Sequence, residues 1–275
     1  MLKSLGLLGA CLLLFGTLSA QIPSSGNSFG FTLGYRQLTL RDQASSALTY
    51  RGNLPTLGLN WTRHTSQQIW EANLQGSYGK FFPQSAPSRM VIFLERNLDG
   101  SIDTVRVQAT GSHLMLKGDV GFYHKQDFNH HSDAFWAVGA RVSEELYYPQ
   151  GFVSPGLTNV AAVSPQVLAG VGNFDKGLFT IGIVVPIAAV VTRLPYHQTV
   201  SKPEGPSATR SFFKYHTAVR TLNKHQEVKF RLGYQYQLGN HLSGGFFYEY
   251  AWLRDSDPRP LLMRTSTFAA TLGFH

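Results

Sequence analysis

The chain has one cysteine in 275 residues, Cys11, and that residue lies in an N-terminal stretch with the marks of a leader. The remainder can form neither a disulfide nor a thiolate metal site, so burial and hydrogen bonding must hold it together. Long apolar runs are missing too. Beyond residue 20 nothing approaches the roughly 18 consecutive apolar residues of a transmembrane helix. The longest run, Leu178 to Val191, is interrupted by Thr180, Gly182 and Pro186 and is rich in branched Val and Ile, which suits a strand. No helical stripe of comparable length competes, and none of the ten histidines sits in a zincin or zinc-finger spacing. His130 and His131 are adjacent, so on a strand they would point to opposite faces. There is no glycine-rich phosphate loop between a strand and a helix, no internal repeat and no low-complexity tract. Neither a metal nor a cofactor is expected.

Residues Met1 to Ala20 combine a single lysine, a Leu-rich apolar core and a small-residue end at Leu18-Ser19-Ala20 before Gln21. Together these read as a cleaved secretory signal peptide, residues 1–20, ahead of one domain over 21–275. Removing Lys3 takes the formal net charge from +8 to +7 (8 − 1). For an exported chain such a basic balance faces lipid headgroups and lipopolysaccharide phosphates first, and nucleic acid is not an expected partner.

What the chain does have is alternation. From Val228 to Leu238 one face collects Val228, Phe230, Leu232, Tyr234, Tyr236 and Leu238, and the other Lys229, Arg231, Gly233, Gln235 and Gln237. That period of two is the mark of a β-strand, and Gly239-Asn240 then supplies a hairpin turn. About ten such runs follow one another between Phe29 and His275, each near or above the roughly 9 to 11 residues that a tilted strand needs to cross a bilayer.

Their spacing separates a membrane barrel from a soluble β-sandwich. Connections at 65–68, 125–132, 173–176 and 239–240 are short, and those at 41–53, 83–104, 149–165 and 194–227 are long. Short periplasmic turns alternating with long extracellular loops is the habit of outer-membrane barrels. On this topology Trp61, Trp70 and Trp136 fall near short-turn ends, and Trp252, Tyr78, Phe82, Tyr147 and Tyr148 near long-loop ends, as two interfacial girdles require. The expected fold is all-β: an antiparallel, up-and-down transmembrane barrel of about ten strands, with Leu262 to Phe274 closing against the strand near Phe29. Met90 to Val107 reads as a hairpin, either an extracellular extension or two further spanning strands that make twelve. Arg210 to Leu222 could add strand within the longest loop.

Taking the more polar side of each strand as luminal, the interior gathers Glu71, Asp119, Glu145 and Glu249 against Lys117, Arg141, Lys229 and Arg231, with Arg36 in addition. A barrel of about ten strands has little more room than its side chains fill, so these charges are expected to pair and plug the lumen, a narrow solute path being the alternative. A second group, Lys202, Arg210, Lys214, Arg220 and Lys224 with Phe212, Phe213 and Tyr215, marks the longest loop as a surface patch for phosphate-bearing lipopolysaccharide or as an ordinary solvated loop.

One constellation has catalytic chemistry. His130 stands two residues before Ser132, and Glu144 twelve after it. The arrangement resembles outer-membrane lipid A 3-O-deacylases, and the His-x-Ser pair also resembles outer-membrane phospholipase A. The resemblance implies Ser132 as nucleophile, His130 as base and Glu144 as the residue that orients the imidazole. The whole of residues 22 to 275 resembles the small outer-membrane barrels of the Bacteroidota in its leader ending Leu-Ser-Ala before Gln, its aromatic-rich strands and its terminal aromatic, although His275 follows Phe274. That resemblance implies outer-membrane localisation, contact with outer-membrane lipid and lipopolysaccharide, and recognition by the barrel-assembly machinery during biogenesis. A non-enzymatic surface, assembly or limited transport role is the leading expectation, with a lipid-modifying hydrolase and a soluble secreted β-sandwich binding module as alternatives.

Overall fold

A computed structural model describes residues 26–44, 46, 48–88, 90–96, 100–108, 110–127, 134–150, 157–173, 177–193 and 208–275. The leader, His130 to Ser132 and Lys202 lie outside the described residues. The strands are β1 (Gly26–Asp42), β2 (Tyr50–His64), β3 (Gln68–Pro83), β4 (Met90–Arg96), β5 (Ile102–Gln108), β6 (Gly111–Asp127), β7 (Ala134–Gln150), β8 (Thr158–Asn173), β9 (Gly177–Val184), β10 (Ala188–Arg193), β11 (Thr217–Thr221), β12 (His225–Gly239), β13 (Leu242–Asp255) and β14 (Leu261–Phe274). One helix, α1 (Ala208–Tyr215), precedes β11.

Ten strands make a closed antiparallel ring in the order β1-β2-β3-β6-β7-β8-β9-β12-β13-β14, and β14 pairs back with β1. Phe29 lies opposite Phe274 and Asp42 opposite Leu261, so the seam is paired along its length. Closure gives each of the ten ring strands a hydrogen-bonded neighbour on both sides, as a wall in lipid demands. β4 and β5 pair only with each other, in a separate two-stranded sheet. The Met90 to Val107 hairpin is therefore an extension on the loop side, and the ring holds ten strands instead of twelve.

Parity fixes what each strand shows to the outside. Phe29, Phe31, Leu33, Leu57, Leu59, Leu74, Val120, Val142, Val163, Val167, Val171, Phe179, Ile183, Phe246, Phe268 and Leu272 are exposed on the outer surface. Soluble monomers do not expose a continuous apolar girdle of this extent, so its solvent is lipid. The strands are 14 to 17 residues long where the ring is uninterrupted, longer than crossing requires. The surplus rises on the loop side, where outward positions turn polar at Gln37 and Arg41 on β1, at Arg254 beyond Trp252 on β13, and at Arg264 on β14. Residues at that level, among them Asp42, His225 and Asp255, lie outside the membrane-spanning segments.

The structure departs from the sequence expectation in four places. The run Val105 to His124 is two elements, β5 and β6, belonging to different sheets. β8 begins at Thr158, eight residues before the expected start at Gln166. The run Leu178 to Arg193 breaks at 185–187, where Pro186 has no N–H for the ladder. Val185 and Ile187 still donate to Pro165 and Val163 of β8, but the break reverses facing: Ile183 is outward on β9, whereas Val191 on β10 is fully buried. Arg210 to Leu222 is half helix and half strand, with β11 pairing on β10.

Candidate functional site

The lumen is layered along its axis, and side-chain size at the inward positions decides the layers. In the half nearer the short turns several inward positions are glycine: Gly58 on β2, Gly182 on β9 and Gly233 on β12. They leave a cavity of about 140 Å³, lined among others by Asn60, Glu71, Asn73, Gln75, Lys117, Arg141, Thr180, Arg231 and Glu249. It reaches the short-turn end at His64 and Gln235. In the outer half many inward positions are large and apolar, interspersed with Thr56, Ser77 and His113. Leu38, Leu40, Leu54, Met115, Tyr147, Val160, Val191, Leu253, Leu261 and Met263 form one buried cluster across the barrel.

Ion pairs lie between the cavity and that cluster. Arg141 Nη1 donates to Asp119 at 2.7 Å, Nη2 to Glu71 at 2.6 Å, and Nε to Gln166 at 2.8 Å. Lys117 lies 3.1 Å from Glu249 and 3.9 Å from Asp119. Lys229 pairs with Glu145 and, at 2.9 Å, with Glu227, and Tyr147 donates its hydroxyl to Glu145. Arg36 donates to Thr267 at 2.9 Å and to Gln75. All nine residues expected in the lumen network point inward. Glu227, inward by the same parity as Lys229, was missed; with it, five cations of this network face five carboxylates among the described residues.

Above the apolar cluster a second polar layer closes the top. Arg193 of β10 pairs with Asp42 and lies 3.7 Å from Asp255. Arg220 of β11 pairs with Asp255, and His225 Nδ1 lies 3.1 Å from the other oxygen of that carboxylate. Burial alone would lower the His225 imidazole, but the carboxylates of Asp255 and Glu227 raise it to about 9. These side chains tie the short β11 to β13 across the start of β12, where no ladder joins β11 to β12 among the described residues.

Several expected positions are corrected. Arg220 does not belong to a surface patch: it is 4 % exposed and faces the lumen, because β11 turns it inward. Arg210 and Lys214 are exposed on α1, Lys214 over the Tyr215 ring, and Lys224 is exposed and paired with Asp257 at 3.3 Å. Tyr147 is buried in the lumen and leaves the girdle. Glu144 faces outward and accepts a hydrogen bond from Asn159. It sits ten residues along β7 from Ala134, about 33 Å at the rise of a strand. His130 and Ser132, with which the resemblance groups it, lie outside the described residues. Among the described residues no group of three or more His, Cys, Asp or Glu side chains is placed to hold a metal ion.

No protein-family model and no curated protein sequence matches the chain. Solved structures do. The outer membrane protease OmpT from Escherichia coli is similar with a TM-score of 0.54 at 8% identity, over 94% of this chain and 99% of that one. The translocator domain of the autotransporter NalP from Neisseria meningitidis follows at 0.44 and 10% identity, over 99% and 94%. The beta domain of the Bordetella autotransporter BrkA gives 0.37 and 10% identity, over 92% and 99%. At such identities a likeness speaks for fold alone. The closed ring, its lipid-facing girdle and the likeness to OmpT make this chain a ten-stranded β-barrel of the bacterial outer-membrane type.

Proposed function

We propose that this barrel is closed to through-passage and serves at the outer-membrane surface, in a structural, binding or assembly role, without hydrolytic activity. The observation that carries the proposal is the apolar layer around Leu38, Leu54, Val191 and Leu253, each 2 % exposed or less. A water-filled path needs polar walls, and a ring of this size is filled by its own side chains unless they are small. The ion pairs of Arg141, Lys117 and Lys229 below the layer and the Arg193, Arg220 and Asp255 cluster above it add no continuous channel, since these charges are satisfied locally.

Planar-bilayer recording of the refolded protein tests this. No unitary conductance steps are expected; regular porin-like steps would refute a closed lumen.

Support for a surface role comes from α1 and the turn after β11, where Arg210, Lys214 and Lys224 stand exposed beside exposed Phe213, Tyr215 and Leu222. Cations with aromatic neighbours above a lipid girdle suit phosphate-bearing headgroups such as those of lipopolysaccharide. Co-purification of lipopolysaccharide should fall several-fold in a Lys214→Glu, Lys224→Glu variant, and an unchanged yield would remove that partner. The terminal aromatic Phe274, paired against Phe29 at the seam, is proposed as the contact for the barrel-assembly machinery.

A further inference from the structure

The lumen network holds five cations and five carboxylates among the described residues, but they are unevenly sorted. Arg141 serves two carboxylates, Asp119 and Glu71, and Lys229 serves two more, Glu145 and Glu227. The opposite imbalance holds on the wall that runs from β12 through β13 and β14 to β1. There Glu249 is paired with Lys117, and neither Arg36 nor Arg231 has a carboxylate within 4.0 Å among the described residues. Arg36 is buried and hydrogen-bonded to Thr267 and Gln75. Arg231 makes no hydrogen bond among the described residues; its guanidinium carbon lies 4.4 Å from the centre of the Phe247 ring and its edge faces the cavity.

Space is provided at the same spot. The cross-strand partner of Arg231 on β9 is Gly182, and the next inward residue of β12 is Gly233. A Cβ at Gly182 would meet Leu168 at 3.4 Å and nothing closer, so the position has room for a side chain that the sequence does not supply. The cavity of about 140 Å³ has room for on the order of ten waters, or a ligand of a similar number of heavy atoms. Five N–H donors in a planar fork, stacked on an aromatic face and without an acceptor, match a carboxylate held through two parallel bonds.

We propose that the periplasmic half of the lumen is a binding pocket for a small carboxylate-bearing solute, held by Arg231 and entered from the short-turn end past His64 and Gln235. Glu249, the residue opposite Arg231 on β13, is hydrogen-bonded to Lys117 at 3.1 Å and forms no ion pair with Arg231 within 4.0 Å, so the guanidinium keeps its donors for a ligand. Asn60, Asn73, Gln75 and Thr180 offer neutral hydrogen bonds to the rest of the ligand, which favours a short polar acid over a fatty one. The pocket lies below the apolar layer, so the proposal holds whether or not that layer conducts.

The test is isothermal titration of the detergent-solubilised mature barrel with succinate, and with succinamide as the uncharged counterpart. Saturable binding of succinate alone is expected. Arg231→Leu should weaken it at least tenfold, about 1.4 kcal/mol, and Arg231→Lys by less, because the charge remains while the fork is lost. Gly182→Val, which fills the space without changing charge, should weaken it as strongly. Folding is checked for each variant by the heat-dependent shift of the barrel on electrophoresis; if Arg231→Leu does not fold, Gly182→Val and Arg231→Lys decide. No saturable binding by the wild type, equal binding of succinamide, or unchanged affinity in the folded variants overturns the proposal.

Discussion

Replacing Arg141 by methionine should be among the most damaging single substitutions in the wall. Its guanidinium holds Asp119 at 2.7 Å and Glu71 at 2.6 Å, with Gln166 at 2.8 Å on Nε. The Asp119 side chain is 1% exposed and that of Glu71 19%. Asp119 would keep the Asn73 amide at 2.9 Å and Lys117 at 3.9 Å, neither of which replaces a direct ion pair. Removing one partner of a buried ionic network costs about 3–5 kcal/mol, because the remaining charges are left without compensation. The lower end applies here, since the cavity beside Glu71 admits water. Urea unfolding of the protein in detergent, followed by tryptophan fluorescence, would read the loss as a lower midpoint at unchanged slope. The triple variant Arg141→Met, Asp119→Asn, Glu71→Gln removes the stranded charges and should recover most of the loss. A cost below about 1 kcal/mol for Arg141→Met, or no recovery in the triple variant, would show that the network is not what makes the site sensitive.

The upper polar layer should make stability depend on pH. His225 is raised to about 9 from an ordinary value near 6.5, so its contribution is fully present below about 6.5 and is lost as pH rises through about 9. The unfolding free energy from urea titration should fall over that window by on the order of 1–3 kcal/mol, and His225→Gln should flatten the dependence; an equally steep profile in the variant would contradict the assignment. Paired truncation of the apolar layer, Leu54→Gly with Val191→Gly, should create measurable ion leak in vesicles where the wild type has none. Ser132→Ala should leave the lipid A and phospholipid composition of cells unchanged, and an altered profile by mass spectrometry would reopen the hydrolase.

The alternation from Val228 to Leu238, repeated along the chain, determined by itself that the wall is built of strands and which side chains share a face, because successive residues of a strand point opposite ways. It also placed Arg36, Glu71, Lys117 and the six other luminal charges inside. Two further residues were within its reach: Glu227 shares parity with Lys229, and Tyr147 with Glu145, so both had to point inward. The alternation of short and long connections separated a short-turn end from a long-loop end, and the pairing of Phe274 with Phe29 at the seam followed from the need to leave no edge in lipid.

Other features were decided only by the tertiary structure. Parity gives a face but no height, so the sorting of glycines below and large apolar residues above became visible only when ten registers were aligned around one axis. The break at Pro186 reversed the facing of β10, and β11 turned Arg220 from a surface position into the partner of Asp255. Pairing across a lumen joins residues far apart in sequence, as in Lys117 with Glu249 and Lys229 with Glu145. No local pattern encodes such contacts, because they follow from the stagger of the closed sheet. That stagger also sets Arg231 between Gly182 of β9 and Glu249 of β13, at the edge of the cavity.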